Sequence, residues 1–113
     1  MKIEKFGVYL ADLNPRMGTE PGKVRLVVVV QTDLLNEIHP STIVCPMTTS
    51  ILKEADILRV HLPKKEAHLE KDSDILVDQV RAIDNRRLQR KIGTLSLKSR
   101  DKLLENLEIL ILE

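Results

Sequence analysis

Aromatic side chains are almost missing from this 113-residue chain: Phe6 and Tyr9 are the whole complement, and tryptophan is absent. A core must therefore be assembled from Leu, Ile and Val, and the aromatic sheet faces on which some RNA-binding domains stack bases are not available. Cysteine occurs once, at Cys45, so no internal disulfide can form. Its neighbours in Thr42-Ile43-Val44-Cys45-Pro46-Met47 are mostly apolar, which fits a small buried hydrophobe better than a nucleophile. An excess of one charge is missing too. Eighteen Lys and Arg against 17 Asp and Glu leave a net charge of +1, so any nucleic-acid role has to come from local clustering. No stretch approaches the ~20 apolar residues that cross a bilayer, and the N-terminus lacks the apolar centre of a signal peptide. The expected setting is cytoplasmic, for one domain spanning residues 1–113.

What is present concentrates in one stretch. Gly18-Thr19-Glu20-Pro21-Gly22-Lys23 forms a loop that runs directly into Val24-Arg25-Leu26 and four consecutive valines, Val27 to Val30. Branched side chains in such a run suit a strand buried on both faces. Arg25 stands where the loop becomes strand, either as a solvated charge or as a guanidinium presented on a rigid mount.

Around it, residues 7–13 read as a first strand closed by Asn14-Pro15, and the valine strand ends near Asp33. Residues 42–47 and 57–62 read as further strands, with Pro46 pointing to an edge or a bulge because proline cannot donate to a ladder. Residues 64–74 read as a polar loop or helical turn. Residues 75–83 alternate like a single strand. Asp84 caps a short helical turn, and Ile92-Gly93 returns as an edge piece. Ser96 caps a helix from Leu97 to about Leu110, with Leu103, Leu107 and Leu110 on one stripe. Four to six strands and a C-terminal helix make a small α+β domain around a curled sheet, and closing it into a barrel would hide its edges.

Few constellations carry chemistry. His39, His61 and His68 lack zinc-ligand spacing and read as surface histidines. Phosphate loops, dinucleotide fingerprints and nucleophile elbows are absent. Arg81, Arg86, Arg87, Arg90 and Lys91 form a basic cluster suited to phosphates or simply to solvent. Thr48-Thr49-Ser50 follows an apolar strand, where hydroxyls also serve as turn formers. Arg25 and Thr48 both fall at ends of strands that can be neighbours. A guanidinium and a hydroxyl converging there would suit a phosphodiester, one stabilising charge and the other donating to a non-bridging oxygen.

At these residues the chain resembles the MazF/PemK toxins, the endoribonuclease halves of bacterial toxin–antitoxin systems. The segments that carry the resemblance are Val8 to Pro15, Gly18-Thr19-Glu20 through Arg25, Val29 to Asp33, Asn36 with Pro40, Thr42 through Thr48, and Asp78-Gln79-Val80-Arg81-Ala82-Ile83-Asp84 with Arg86-Arg87-Leu88. Together they cover essentially the whole chain in the family's order.

The resemblance implies an SH3-like β-barrel of the PemK/CcdB kind with a C-terminal helix, working as a homodimer. It implies cleavage of single-stranded RNA by the substrate's own 2′-hydroxyl, with no metal or other cofactor. The catalytic arginine and threonine map onto Arg25 and Thr48. Thr19 and Glu20, in a loop expected to close over RNA, are candidate RNA contacts, as are Gln79 and Arg81. The implied protein partner is an antitoxin of the MazE kind, a disordered acidic and apolar segment lying across the dimer. Lys5-Phe6-Gly7 and Leu26 depart from the family's usual Arg-Gly-Asp start and its proline after the arginine. The alternatives are a gyrase-poisoning toxin of the CcdB kind and a non-catalytic RNA-binding relative. Gyrase poisoning resides in a tail bearing tryptophan, whereas this chain closes on Ile111-Leu112-Glu113. The second is disfavoured by the presence of both Arg25 and Thr48.

Overall fold

The computed structural model describes residues 1–15, 17–19 and 23–113. Among them are seven strands: β1 (Gly7–Asp12), β2 (Val24–Val29), β3 (Ser41–Thr48), β4 (Arg59–Leu62), β5 (Ser73–Leu76), β6 (Arg81–Asp84) and β7 (Leu88–Thr94). One helix, α1 (Leu97–Leu112), follows them. The sheet runs β4-β5-β3-β2-β1-β7, with β6 also paired to β3, and every pairing is antiparallel.

The valine run behaves as its chemistry dictates. Period-two alternation sends Val28 into one core with Val8, Cys45, Met47, Val60, Ile75 and Leu103. Val27 and Val29 enter a second, with Tyr9, Ala11, Leu13, Val44 and Ile83. Both faces of β2 are thus buried, each valine contributing about 1.5 kcal/mol or more. Residues from β1 through β5 meet in the first core, so the sheet curls around it. The expected barrel is thus present as a barrel-like curled sheet, its ring not closed, since among the described residues β4 and β7 stay unpaired to each other.

Three strand expectations change. Residues 75–83 are not one strand: a 3-10 turn at Val77–Gln79 separates β5 from β6. The turn lets the chain leave the end of β3 at Met47 and rejoin its beginning at Ser41–Val44. The helical turn that Asp84 caps covers only Asn85–Arg87, and a full strand, β7, replaces the edge piece at residues 92–93. Pro46 lies in a central strand. Ile43 turns its backbone to β2, its carbonyl accepting from Val30 N at 3.0 Å and Gln31 N at 3.2 Å. Alternation therefore turns the Pro46 nitrogen to the opposite edge, at the point where β6, ending its pairing at Val44, gives way to β5, which begins at Met47. The missing donor falls where no ladder bond is due.

The helix begins as expected, with Ser96 Oγ accepting from Ser99 N at 3.3 Å. Its buried stripe is Ser99, Leu103 and Asn106, whereas Leu110 is 36% exposed. No helix among the described residues is long and apolar enough to cross a membrane.

Candidate active site

The site lies where β2 and β3 part. Their register pairs Val29 with Val44, Val28 with Cys45 and Val27 with Pro46, and there the ladder stops. Continued outward by two residues, that register sets Arg25 opposite Thr48 on one face of the sheet. In the gap the Met47 carbonyl, which faces β2, accepts from the Arg25 guanidinium (Nη1) at 3.5 Å. A cavity of about 250 Å³ opens beside them, lined by Lys23, Val24, Arg25, Leu26, Met47, Thr48, Thr49 and Ser73. Thr48 is half-buried, and its hydroxyl oxygen accepts from Ser50 N at 3.1 Å. The hydroxyl proton is therefore available to an acceptor in the cavity.

Arg25 is held by the root of the preceding loop. Leu13 N donates to Lys23 O at 2.8 Å, and Lys23 N donates to Asn14 Oδ1 at 2.7 Å. Lys23 has φ of 65°, a left-handed conformation unusual for a side-chain-bearing residue, and it turns the chain into β2 at the mouth of the cavity. Arg87 braces the same root, donating to the carbonyls of Asp12 and Asn14.

Of the other candidates, Thr19 is exposed in a turn of the β1–β2 connection and does not line the cavity. Glu20 lies outside the described residues, as do Arg16, Pro21 and Gly22. Gln79 is half-buried in the 3-10 turn before β6. Arg81 pairs with Val44, on the face of β3 that carries Thr48 but about 13 Å further along the strand. Neither lines the cavity.

The basic cluster divides by role. Arg86 is forked onto Asp84 at 3.0 Å through both Nε and Nη2, holding that carboxyl down to about 2. Lys91 pairs with Glu4 at 3.3 Å. Arg90 lines an adjoining cavity of about 370 Å³, which shares Leu26, Thr49 and Ser73 with the first and adds His68 and Lys71.

Lys23, Thr49 and Ser73 also line the site. Lys23 ends the glycine-containing loop and Thr49 stands in the hydroxyl run, but neither is among the sequence candidates, and nothing local marks Ser73, which arrives on β5. Burial pushes the Cys45 thiol up to about 12, consistent with an inert core residue. Gln31 and Asn36 are joined at 2.9 Å in a buried polar knot that also holds Asp33, so these residues shape the exit of β2. No group of three His, Cys, Asp or Glu side chains among the described residues is arranged to hold a metal ion.

Comparison with known proteins agrees with this architecture. The model of the family described as PemK-like, MazF-like toxin of type II toxin-antitoxin system matches residues 4–111. Endoribonuclease MazF of Staphylococcus epidermidis is 44% identical over 94 residues, 83% of this chain and 78% of that protein. The crystal structure of MazF (Form-I) from Deinococcus radiodurans superposes with a TM-score of 0.85 at 22% identity, covering 100% of this chain and 99% of that one. A MazE-MazF structure (Form-II) from the same organism gives a TM-score of 0.76 at 22% identity, covering 96% and 95%. At such identities the structures speak for the fold alone.

Proposed function

The chain belongs to the PemK-like, MazF-like toxins of type II toxin–antitoxin systems, and from that premise we propose that it is an endoribonuclease cutting single-stranded RNA through Arg25 and Thr48. The observation that carries the assignment of residues is the register that sets these two side chains opposite each other at the mouth of one cavity.

In the proposed reaction a ribose 2′-oxygen attacks the adjacent phosphorus, forming a P–O2′ bond and breaking P–O5′. The 2′-hydroxyl loses its proton and the departing 5′-oxygen gains one, leaving a 2′,3′-cyclic phosphate and a 5′-hydroxyl. Charge gathers on the non-bridging oxygens of the phosphorane. A guanidinium carries five donors and no acceptor, so Arg25 is suited to stabilise that charge and, second, to supply a proton to the leaving oxygen. Thr48 donates its hydroxyl proton to a non-bridging oxygen and fixes the phosphate's orientation. Arg90 and Lys71, around the adjoining cavity, would attract the flanking phosphates. Thr19, Glu20, Gln79 and Arg81 remain our candidates for contacts to the rest of the RNA.

We assign the toxin role to a cytoplasmic homodimer checked by a cognate antitoxin, in keeping with the MazE-MazF assemblies of its structural neighbours. The test is direct. Purified protein incubated with a long transcript in EDTA should yield fragments with 5′-hydroxyl and cyclic or 3′-phosphate ends, at a small set of sequences. Intact RNA in the presence of folded dimer would overturn the proposal.

A further inference from the structure

Behind Thr48 lies a carboxylate that the proposed chemistry does not use. Asp74 is fully buried on β5 and is the register partner of Thr48 across the β3–β5 ladder. Its Oδ2 accepts from Leu52 N and from Arg59 Nη1, both at 2.9 Å, and its Oδ1 meets His61 Nδ1 at 2.6 Å. Burial alone would push this carboxyl up. The hydrogen bonds from Leu52 N–H, His61 and Arg59 outweigh burial and hold it below the ordinary carboxylate value.

Two of these partners, Leu52 and Arg59, lead back to the turn after Thr48. The Arg59 nitrogen that meets Asp74 also donates to Ser50 O at 2.9 Å. Ser50 N is the donor to the Thr48 hydroxyl. Leu52, two residues on, is held by Asp74 itself. The far end of the same connection is tied by Asn106 of α1, which donates to Asp56 O at 2.9 Å and Arg59 O at 3.2 Å. A buried ion pair is weak evidence for stability, since apolar residues of similar volume often do as well. Here the buried charge ties backbone directly, at Leu52 N, and through Arg59 at Ser50 O.

We propose that Asp74 is a positioning residue for cleavage, acting through Arg59 and the Ser50–Leu52 backbone to hold the Thr48 hydroxyl toward the cavity. The inference rests on the endoribonuclease reading for its catalytic consequence. It also has a consequence free of catalysis, the ordering of the Ser50 and Leu52 amides.

The experiment compares wild type, Asp74→Asn, Arg59→Met and Arg59→Lys on a single-stranded oligoribonucleotide carrying one mapped cleavage site, with amide hydrogen exchange on the same proteins. Asp74→Asn is expected to lower kcat by about 10-fold or more with KM within about 2-fold, because the rest of the RNA surface is untouched. Arg59→Met should show the same split, and Arg59→Lys should recover most of the loss by restoring a cationic donor. Exchange at Ser50 and Leu52 should quicken at least 10-fold in Asp74→Asn, while the amides of Val28 and Cys45 stay protected. Unchanged kcat in folded Asp74→Asn, or unchanged exchange at Leu52, would overturn the proposal. Should Asp74→Asn fail to fold, the two Arg59 variants decide it by the same kcat and exchange criteria. If wild type itself leaves RNA intact, the endoribonuclease reading falls, and Leu52 exchange still decides whether Asp74 orders this turn.

Discussion

Arg25 and Thr48 line one cavity where β2 and β3 have stopped pairing: the last ladder pair is Val27 with Pro46, and the Arg25 guanidinium reaches the Met47 carbonyl just beyond it. The sheet thus brings both groups to the wall of one open cavity of about 250 Å³. Because Arg25 sits half-exposed at a strand end, removing it should not disturb the core. Arg25→Ala is expected to lower cleavage by about 10²–10³-fold, the loss typical of one transition-state donor, about 3–4 kcal/mol. The melting temperature should stay within a few degrees of wild type. Arg25→Lys keeps the charge but loses the planar fork, so its rate should fall between the two. Single-turnover cleavage and thermal melting followed by circular dichroism check both statements.

Thr48 gives a smaller effect of the same kind. Its hydroxyl is asked for one hydrogen bond to a charged oxygen, about 1.5–3 kcal/mol. Thr48→Ala should therefore slow cleavage by about 10–100-fold, and Thr48→Ser, which keeps the hydroxyl, should remain within a few-fold of wild type. Equal losses in Ala and Ser variants would point to the methyl group and against the hydroxyl as the working part.

What could be read from the sequence, and what could not, follows from how far each signal reaches along the chain. Four adjacent valines report burial on both faces, and Ser96 reports a helix start, because each needs only its immediate neighbours. Alternation over residues 75–83 persisted through a 3-10 turn, since Val77 is buried in that turn as it would be in a strand. Nothing in the local pattern announces that the chain there changes its place along β3. β7 was hidden for the opposite reason: Gln89, Arg90 and Lys91 are exposed, and its pairing with β1 shifts register twice. Arg25 and Thr48 were legible as strand-end residues, whereas their opposition needed the β2–β3 register. Asp74 looked like part of a charged loop. Its side-chain partners lie 15 and 13 residues earlier, and the one sequence clue is that Arg59 and His61 share a strand face.

Tyr9 is buried, and its hydroxyl donates to Lys2 O at 2.8 Å while accepting from Glu4 N at 2.9 Å, tying the N-terminal segment to β1. Tyr9→Phe should cost about 1–2 kcal/mol, read from urea unfolding at pH 7. Burial raises the phenol above its ordinary value near 10. Above that ordinary value the unfolded chain loses the proton before the folded one, so stability falls as pH rises through the window between them. The phenylalanine variant should lack this alkaline loss, and a difference between the two proteins that stays constant from pH 8 to 11 would contradict the assignment.

Acid should reveal Asp74. Its carboxyl lies below the ordinary value near 4 in the folded chain, so the stability it contributes is present above that value and is lost as pH falls through the folded value. Asp33 and Asp84 are also held low, by the Lys5 amide and by Arg86 respectively, so the acid limb of wild type alone cannot be attributed to one residue. A difference measurement separates them. At pH 7 Asp74→Asn removes a buried charge from Arg59, His61 and the Leu52 amide while keeping the shape of the side chain, for an expected loss of about 2 kcal/mol. Between about pH 4 and pH 2 the gap between wild type and Asp74→Asn should narrow, because protonation makes the wild-type carboxyl as uncharged as the amide, whereas Asp33 and Asp84 titrate alike in both proteins and cancel. Urea midpoints collected across that range measure the gap, and one that holds its pH 7 size down to pH 2 would show that the Asp74 charge is not what holds the turn behind Thr48.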